Sequence, residues 1–428
     1  MKKIVLSLVL LVAMGIGANA GSKSKKVVAK TGPVTLFHSL DADGAPYRIP
    51  TITTTRSGRL IALADKRWCG ADIGFGHIDV VARISDDNGA TWGEPQVILD
   101  GNGIAGDNAC GYGDAAMVAD AESNTILVMA GTGNMSYWSS KRNNPLRQAR
   151  IYSYDNGKTW TKPVDVTESI YSLFDARGEG REVQSLFCGS GRILQSKMIK
   201  AGTHYRVYTA LCTHSGNFVL YSDNLGQDWN VLGGPNAECA PKGDEPKCEE
   251  LPNGDVLLSS RCHYGRMMNI YHYSDANKAQ GEWEQVVNSF EQPGGINVCR
   301  NATNGEVLML PAKRNTDGKR ISLLLQSIPA ADNRSQVTIF YKPIVDASDY
   351  VTVKALASNW EGSYKVTDNT SAYSTMSLQR DGRIAFYLEE NETSGGYDMN
   401  YYAYTLEELT NGKYSLGKTK SSKPKKIK

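Results

Sequence analysis

The hydrophobic pattern of this chain consists of short apolar runs rather than long amphipathic stretches. Runs rich in Val, Ile, Leu, Tyr and Phe are bounded by Gly, Asn or Asp, as expected of β-strands joined by turns. They lie at residues 60–63, 80–84, 126–129, 205–208, 218–221, 256–258, 307–310, 321–325 and 384–387. Amphipathic helical patterns are scarce, and no Pro- or Ser-rich linker divides the chain after residue 21. The pattern therefore predicts one all-β domain.

A short motif that combines a turn with a tryptophan occurs three times. The copies are Ser85-Asp-Asp-Asn-Gly-Ala-Thr-Trp92, Ser153-Tyr-Asp-Asn-Gly-Lys-Thr-Trp160 and the weaker Ser222-Asp-Asn-Leu-Gly-Gln-Asp-Trp229, and their first serines are 68 and 69 residues apart. The aspartate of the first two copies can accept backbone N–H bonds across a tight turn, and the glycine tolerates positive φ. The tryptophan can pack inward as an anchor. We interpret these Asp-box turns as structural elements.

The spacing of the Asp-box turns predicts the architecture. A recurring unit with strands between its copies must stack on neighbouring units to bury its apolar faces. At about 68 residues per unit, the chain accommodates about six units, and six four-stranded blades closed in a ring form a six-bladed β-propeller. The period predicts further copies near 290 and 358, where only degenerate versions beginning at Ser274 and Ser327 are found.

The first 20 residues have the pattern of a secretory signal peptide. Lys2 and Lys3 precede an apolar run at residues 4–12, and Ala18-Asn-Ala20 resembles a cleavage site. The expected mature protein, residues 21–428, is periplasmic or secreted, and no later apolar run is long enough for a membrane span. The Lys-rich tail at residues 418–428 is expected to be a solvated, disordered terminus.

Charge and cysteine content narrow the function classes. Loss of residues 1–20 removes two of 47 Lys and Arg and leaves 45 against 45 Asp and Glu, so charge gives no reason to expect nucleic acid binding. Eight cysteines in an exported chain permit disulfides, but their spacing leaves the pairing open. The closest pair, Cys239 and Cys248, is nine residues apart, which does not fit a zinc ribbon. The cysteines therefore give no support for a metal site.

Candidate functional residues are those that can meet at the mouth of a propeller, where inner strands and their loops converge. Taken singly, such residues are usually surface ion pairs or core tyrosines, so only their combination indicates a site. The candidates at predicted strand ends are Arg48, Arg67, Asp72, Asp79, Glu245, Glu250, Arg261, Arg314, Arg320 and Tyr373.

The sequence resembles the bacterial exo-α-sialidases of the six-bladed propeller type over essentially all of residues 21–428. Tyr47-Arg-Ile-Pro50 followed by Asp-box turns in this order is a specific combination, whereas the boxes alone also occur in unrelated propellers. The resemblance implies that Tyr373 is the nucleophile, Glu245 its base partner and Asp72 the acid/base. It further implies three carboxylate-binding arginines, Arg48, Arg261 and Arg320, and two contacts to the sugar ring, Arg67 and Asp114.

The chain departs from the family pattern in two places. Arg320 is displaced by one residue relative to the following strand, so Arg314 remains a candidate for the third arginine. The loop between Asp72 and Asp79 looks longer than usual. Glu250 remains the second candidate for the base.

The residue types suit the chemistry that the resemblance implies. Sialic acid carries a carboxylate on its anomeric carbon, which guanidinium groups bind bidentately. That carboxylate would repel an anionic nucleophile, and sialidases with a tyrosine nucleophile are a recognised exception among glycosidases. A phenol of pKa about 10 needs a neighbouring carboxylate to draw off its proton. An acid that protonates the leaving oxygen and then activates water gives net retention.

We therefore expect an exo-α-sialidase that releases terminal sialic acid from sialylated glycoproteins, glycolipids or oligosaccharides. Two alternatives stay open. An intramolecular trans-sialidase of the same fold differs only in what attacks the intermediate, whereas a non-catalytic propeller lectin would lack part of the Tyr, Glu and Asp set. Residues 133–138 can supply an apolar wall for an acetamido group or serve in blade packing.

Overall fold

Six sheets of mostly antiparallel strands follow one another along the chain. The computed structural model describes residues 32–41, 43–298 and 303–417. After β1 (Val34–Phe37), blade I contains β2 (Tyr47–Thr54), β3 (Leu60–Lys66), β4 (Asp79–Ser85) and β5 (Gln96–Leu99). Blade II contains β6 (Tyr112–Ala119), β7 (Ile126–Thr132), β8 (Arg147–Ser153) and β9 (Val164–Asp165).

Blade III begins with β10 (Leu186–Cys188), after which β11 (Gly191–Arg192) pairs in parallel with β6 of blade II. Blade III continues with β12 (Leu194–Ala201), β13 (His204–Thr213), β14 (Gly216–Ser222), β15 (Asn230–Val231) and β16 (Ala240–Pro241). Blade IV contains β17 (Pro246–Glu250), β18 (Val256–Arg261), β19 (Arg266–Asp275), β20 (Gln280–Trp283) and β21 (Val287–Asn288).

Blade V contains β22 (Val307–Arg314), β23 (Arg320–Ala331), β24 (Ser335–Ile344) and β25 (Gly362–Lys365). Blade VI contains β26 (Ser371–Leu378), β27 (Ile384–Thr393) and β28 (Gly396–Tyr404), and β29 (Tyr414–Leu416) then joins blade V beside β22. The helices are short: α1 (Thr167–Tyr171), α2 (Val353–Ala357), α3 (Leu406–Leu409), and 3₁₀ turns at Ser172–Arg177, Ala276–Lys278, Ser289–Glu291 and Ala347–Asp349.

The N-terminal strand and blade VI close the ring. Strand β1 pairs with β28, with Val34 opposite Tyr401, so the N-terminal strand becomes the outer strand of blade VI. Strand β2 contacts both β6 and β26, and blade I therefore adjoins blades II and VI. This arrangement confirms the predicted six-bladed β-propeller.

The core lies between the blades, and strand periodicity explains why the apolar runs are continuous. In β3, Leu60, Ala62 and Ala64 pack against blade VI. Ile61 and Leu63, which point the other way, pack against blade II. Successive side chains of a strand point to opposite faces, so a strand buried on both faces needs apolar residues at every position. All nine predicted runs lie within strands.

The first Asp-box turn joins the third and fourth strands of blade I. Gly89 donates its N–H to Ser85 Oγ at 2.9 Å, and Thr91 donates its N–H to Asp87 Oδ1 at 2.8 Å. The Trp92 ring packs edge-on against Tyr401 of blade VI, with ring centroids 5.1 Å apart. The turn therefore satisfies its own polar groups and anchors one blade to its neighbour.

The other copies occupy the same place in blades II and III. The second copy repeats the bonds of the first, and in the third Asn224 accepts the N–H of Asp228 at 2.9 Å. The degenerate copy at Ser274 lies at the end of β19, the third strand of blade IV, and is followed by the 3₁₀ turn Ala276–Lys278 instead of an Asp-box turn, whereas Ser327 lies inside β23 and forms no box.

Several expectations concern residues outside those described. These are the signal peptide at residues 1–20, the tail at 418–428 and Cys299. The seven cysteines within the described ranges are free thiols. Within the same ranges, no helix has the length and apolar character of a membrane span.

Candidate active site

One edge of the ring carries a cleft with a volume of about 320 Å³. In an antiparallel blade, the first strand begins at the edge where the second strand ends. The cleft therefore collects Arg48 and Tyr373 from the beginnings of first strands, and Arg67 and Arg261 from the ends of second strands. The Asp-box turns follow third strands, which end at the opposite edge. The cleft is lined by Arg48, Ile49, Arg67, Asp72, Ile73, Phe75, Asp114, Ser136, Tyr137, Trp138, Leu146, Phe187, Asp244, Glu245, Arg261, Arg334 and Tyr373.

Tyr373, Glu245 and Arg261 form a hydrogen-bonded group on one side of the cleft. The Tyr373 hydroxyl donates to Glu245 Oε1 at 2.7 Å. Arg261 Nη1 donates to Glu245 Oε2 at 2.7 Å and to the Tyr373 oxygen at 3.2 Å. Burial raises the pKa of Tyr373 well above its ordinary value, so the hydroxyl is protonated at neutral pH. Glu245 is placed to receive that proton.

A buried carboxylate fixes the neighbouring arginine. Glu389 Oε1 accepts from Arg48 Nε at 2.7 Å and from the Ile49 N–H at 2.8 Å, and Glu389 Oε2 accepts from the Tyr373 N–H at 3.2 Å. Burial alone would raise the pKa of Glu389, but the charge and hydrogen bonds of Arg48 hold it below the ordinary value. We call Tyr373, Glu245, Arg261, Arg48 and Glu389 the tyrosine half of the cleft.

Arg334 lines the cleft, whereas Arg320, the expected third carboxylate-binding arginine, does not. Arg334 lies in the turn between β23 and β24, and its guanidinium carbon is 5.9 Å from the centre of the Tyr373 ring. Arg320 begins β23, twelve residues long, so it lies about 36 Å from that turn at about 3.3 Å per residue. The alternative, Arg314, lies at the same far end and bonds Asp317 at 2.7 Å. Sequence reasoning chose the turn at the wrong end of β23.

The opposite side of the cleft, which we call the aspartate half, consists of Asp65, Arg67, Asp72 and Asp114. Arg67 Nη2 lies 2.9 Å from Asp72 Oδ1 and 3.3 Å from Asp65 Oδ2. Asp65 Oδ2 also accepts the Asp114 N–H at 3.2 Å, where the Asp114 backbone has a φ of 53°. Arg67 thus pairs with two carboxylates, and the charge of a third, Asp114, also acts on it.

Burial dominates the electrostatics of the aspartate half. It raises the pKa of Asp65 to about 7, even though Arg67 opposes the shift. Burial, together with the charges of Asp72 and Asp65, raises the pKa of Asp114 well above its ordinary value. Asp72 differs because its side chain is 65% exposed at the mouth of the cleft. It is the most exposed carboxylate of the aspartate half.

The two alternative carboxylates of the sequence analysis do not line this cleft. Asp79 accepts hydrogen bonds from Trp68 Nε1 at 2.7 Å and from the Gly101 N–H at 2.9 Å, and so supports the base of the loop that carries Asp72. Glu250 accepts from the Ser196 hydroxyl and from a backbone N–H of blade III.

One group within the described ranges has ligand atoms close enough for a metal ion. His77, Asp79 and Asp100 have such atoms within 4.8 Å of one another. The Asp79 oxygens already accept hydrogen bonds, and the group lies outside the cleft lining. We therefore assign no metal to it.

An apolar wall completes the cleft. It is formed by Ile73, Tyr137, Leu146 and Phe187, and the rings of Tyr137 and Phe187 meet edge to face with centroids 5.1 Å apart. Ser136, Tyr137 and Trp138 of the predicted segment 133–138 line the cleft, so this segment contributes to the site as well as to packing.

Sequence reasoning missed four residues of the cleft or its support: Asp65, Phe187, Arg334 and Glu389. Asp65 could have been found, because it lies two positions before Arg67, where strand alternation places both side chains on one face. Glu389 also had a signal, since it closely follows the apolar run 384–387 within a strand of the blade that closes against β2. Arg334 and Phe187 had none, because their placement depends on contacts between distant blades.

Comparisons with known proteins agree with this fold. The BNR repeat-like domain family matches residues 58–386, and the chain belongs to this family of propeller proteins. Similar proteins include the sialidase of Paraclostridium sordellii, 24% identical over 84% of this chain and 85% of that protein. The sialidase of Bacteroides fragilis is 26% identical over 68% of this chain, which spans about half (52%) of that longer relative.

A solved structure shows the same architecture. The leech intramolecular trans-sialidase, complexed with 2,7-anhydro-Neu5Ac, superposes with a TM-score of 0.68 at 17% identity. The match covers 90% of this chain and 71% of the leech protein. At this identity the likeness concerns the fold.

Proposed function

We propose that this protein is an exo-α-sialidase, a glycoside hydrolase that releases terminal α-linked sialic acid through a covalent tyrosyl intermediate with net retention. The observation that carries the proposal is the 2.7 Å hydrogen bond from Tyr373 to Glu245 beside Arg261. A buried tyrosine bonded to a carboxylate among arginines suits attack on an anomeric carbon that bears its own carboxylate. The sialidases among its relatives support the same activity.

Three arginines would orient the substrate. Arg48, Arg261 and Arg334 line the cleft around the Tyr373 ring. Guanidinium groups bind a carboxylate through planar, paired hydrogen bonds, and their charge does not titrate at physiological pH. This clamp would hold the sialic acid carboxylate and thereby bring the anomeric carbon to the Tyr373 oxygen.

In the first step, the Tyr373 oxygen forms a bond to the anomeric carbon as the bond to the leaving oxygen breaks. Glu245 takes the phenol proton, which is needed because burial raises the pKa of Tyr373. Asp72, exposed at the mouth, gives its proton to the leaving oxygen. Arg261 donates hydrogen bonds to both Glu245 and the Tyr373 oxygen and so holds the two groups in position for the proton transfer.

In the second step, Asp72 removes a proton from water, whose oxygen attacks the anomeric carbon. The bond to Tyr373 breaks, and Glu245 returns the proton to the phenol. Two inversions give retention of configuration. The mechanism uses side chains alone, so we propose that it requires neither a metal nor an organic cofactor.

The rest of the cleft would recognise the sugar. Arg67 and Asp114 would contact the sialic acid ring, and the wall formed by Ile73, Tyr137 and Phe187 would receive the apolar methyl of the acetamido group. The substrates would be sialylated glycoproteins, glycolipids or oligosaccharides. We further propose export through residues 1–20 to the periplasm or outside the cell, which intact-mass analysis of the exported protein would test by a start at Gly21.

Product analysis on 3′- and 6′-sialyl-lactose tests the proposed activity. We expect free sialic acid, released first as the α-anomer in an NMR time course, because retention precedes mutarotation. Release of 2,7-anhydro-sialic acid would identify an intramolecular trans-sialidase instead. Binding without any product would identify a lectin and overturn the proposal.

A further inference from the structure

Two large aromatic side chains at the rim of the cleft are largely exposed. Phe75 is 65% exposed and Trp138 is 80% exposed, and both line the cleft. Among the Phe, Tyr and Trp side chains of the described residues, only Tyr154, also at 65%, is comparably exposed. A single exposed aromatic is unremarkable, but a pair at the mouth of a cleft is typical of a surface that a ligand covers.

The two aromatic side chains are held on loops that pack together. Gly74 has a φ of 93°, and a Cβ atom at this position would lie 2.2 Å from the Ser136 nitrogen, so the two backbones are in contact. The Trp138 ring also stacks on His214, with centroids 5.9 Å apart and planes inclined by 11°. Phe75 and Trp138 therefore form a rim that is fixed before a ligand arrives.

This rim adjoins the proposed acid. Asp72 and Phe75 belong to one turn, in which the Phe75 N–H donates to the Asp72 carbonyl oxygen at 3.2 Å. An acid that protonates the leaving oxygen must lie beside the bond that breaks. The group attached to that oxygen consequently lies on the Asp72 side of the cleft, where Phe75 and Trp138 are exposed.

We propose that Phe75 and Trp138 form a binding subsite for the leaving-group sugar, the pyranose that carries the terminal sialic acid. This inference rests on the proposed function. A pyranose ring offers an apolar C–H face that covers an aromatic ring while its hydroxyl groups stay in water. The subsite differs from the apolar wall, because Ile73 and Phe187 of that wall are buried at 3% and 8% exposure.

The test compares two substrates that share sialic acid and an unactivated leaving oxygen. One is 3′-sialyl-lactose and the other is methyl α-sialoside, which lacks the leaving-group sugar. The readout is the ratio of kcat/KM for the first to that for the second. We expect Phe75→Ala and Trp138→Ala each to lower this ratio about 3- to 10-fold, mainly through KM for sialyl-lactose.

Matched variants control for stability and for general surface effects. Tyr154→Ala removes an equally exposed aromatic outside the cleft and should leave the ratio at the wild-type value. Phe75→Tyr and Trp138→Phe, which keep an aromatic face, should restore most of the ratio. An unchanged ratio in both alanine variants overturns the subsite. Failure of the wild type to cleave either substrate overturns the proposed function, and the subsite with it.

Discussion

The two halves of the cleft differ in how their carboxylates are paired with arginines. In the tyrosine half, each carboxylate has its own arginine, Glu245 with Arg261 and Glu389 with Arg48. In the aspartate half, Arg67 alone pairs with both Asp65 and Asp72, and the charge of a third carboxylate, Asp114, also acts on it. Balanced pairs hold a fixed geometry, whereas an excess of carboxylates in a poorly solvated place retains protons. The proposed nucleophile thus lies in the half whose geometry is fixed by balanced pairs, and the proposed acid lies beside Asp65 and Asp114, whose pKa values burial raises.

The largest expected effect lies in the tyrosine half. Tyr373→Phe removes the attacking oxygen and keeps the ring that Arg48 and Arg334 face. We expect kcat on sialyl-lactose to fall by about 10³ or more with Tm nearly unchanged. Steady-state assays and thermal denaturation measure both quantities. Near-full activity in this variant would show that Tyr373 does not attack the substrate.

In the aspartate half, the effect of a substitution should depend on the leaving group of the substrate. Asp72→Ala should lower sialyl-lactose turnover by about 10² to 10⁴, because a sugar alkoxide leaves poorly without a proton. The burst of aryl alcohol from a fluorogenic aryl sialoside reports the first step alone and should fall much less. Equal losses of burst and turnover would mean that another group supplies the proton.

Within the tyrosine half, a pH–rate profile distinguishes the role of the proposed base, Glu245, from that of the nucleophile. Glu245→Gln should lower activity by about 10² at neutral pH, because the phenol must then ionise unaided. Burial raises the pKa of Tyr373 above its ordinary value, so the phenolate fraction should rise about tenfold per pH unit at pH values below that pKa. The burst from an aryl sialoside, which does not depend on a proton from Asp72, should rise in parallel in this variant. Glu250→Gln, which changes a carboxylate outside the cleft, should keep the wild-type profile. A flat profile in Glu245→Gln would contradict the assignment.

Substitution of the third carboxylate-binding arginine should have a smaller effect, and the result shows which end of β23 supplies that residue. Arg334→Lys keeps the charge but loses the planar fork, and we expect kcat/KM to fall about tenfold, mostly through KM. Arg320→Lys and Arg314→Lys, at the far end of the strand, should leave kinetics unchanged. The opposite ranking in the same assay would restore Arg320 to the clamp.

The sequence predicted the propeller well because the features that define it are local. Strand alternation in runs such as 60–63 and the bonds inside each Asp-box turn need no knowledge of distant residues. Arg48, Arg67, Asp72, Asp114, Glu245, Arg261 and Tyr373 were all expected at the cleft and all line it. Arg334 was missed because the sequence of a turn does not show at which edge of the ring the turn lies or which blade it faces. The same limit hid Glu389, whose importance comes from hydrogen bonds to blade I.

The smallest expected effect tests whether the aspartate half really retains protons. Asp65→Asn removes a charge and keeps the shape. Burial raises the folded-state pKa of Asp65 to about 7 from an ordinary 3.8, so the folded protein keeps a proton that the unfolded chain has released. That protonation stabilises the fold fully below about pH 4 and is lost as pH rises through about 7. Relative to Asp65→Asn, the wild type should therefore lose roughly 2 °C of Tm between about pH 5 and about pH 8. Parallel Tm profiles would mean that Arg67 keeps Asp65 ionised throughout, and that the aspartate half is as balanced as the tyrosine half.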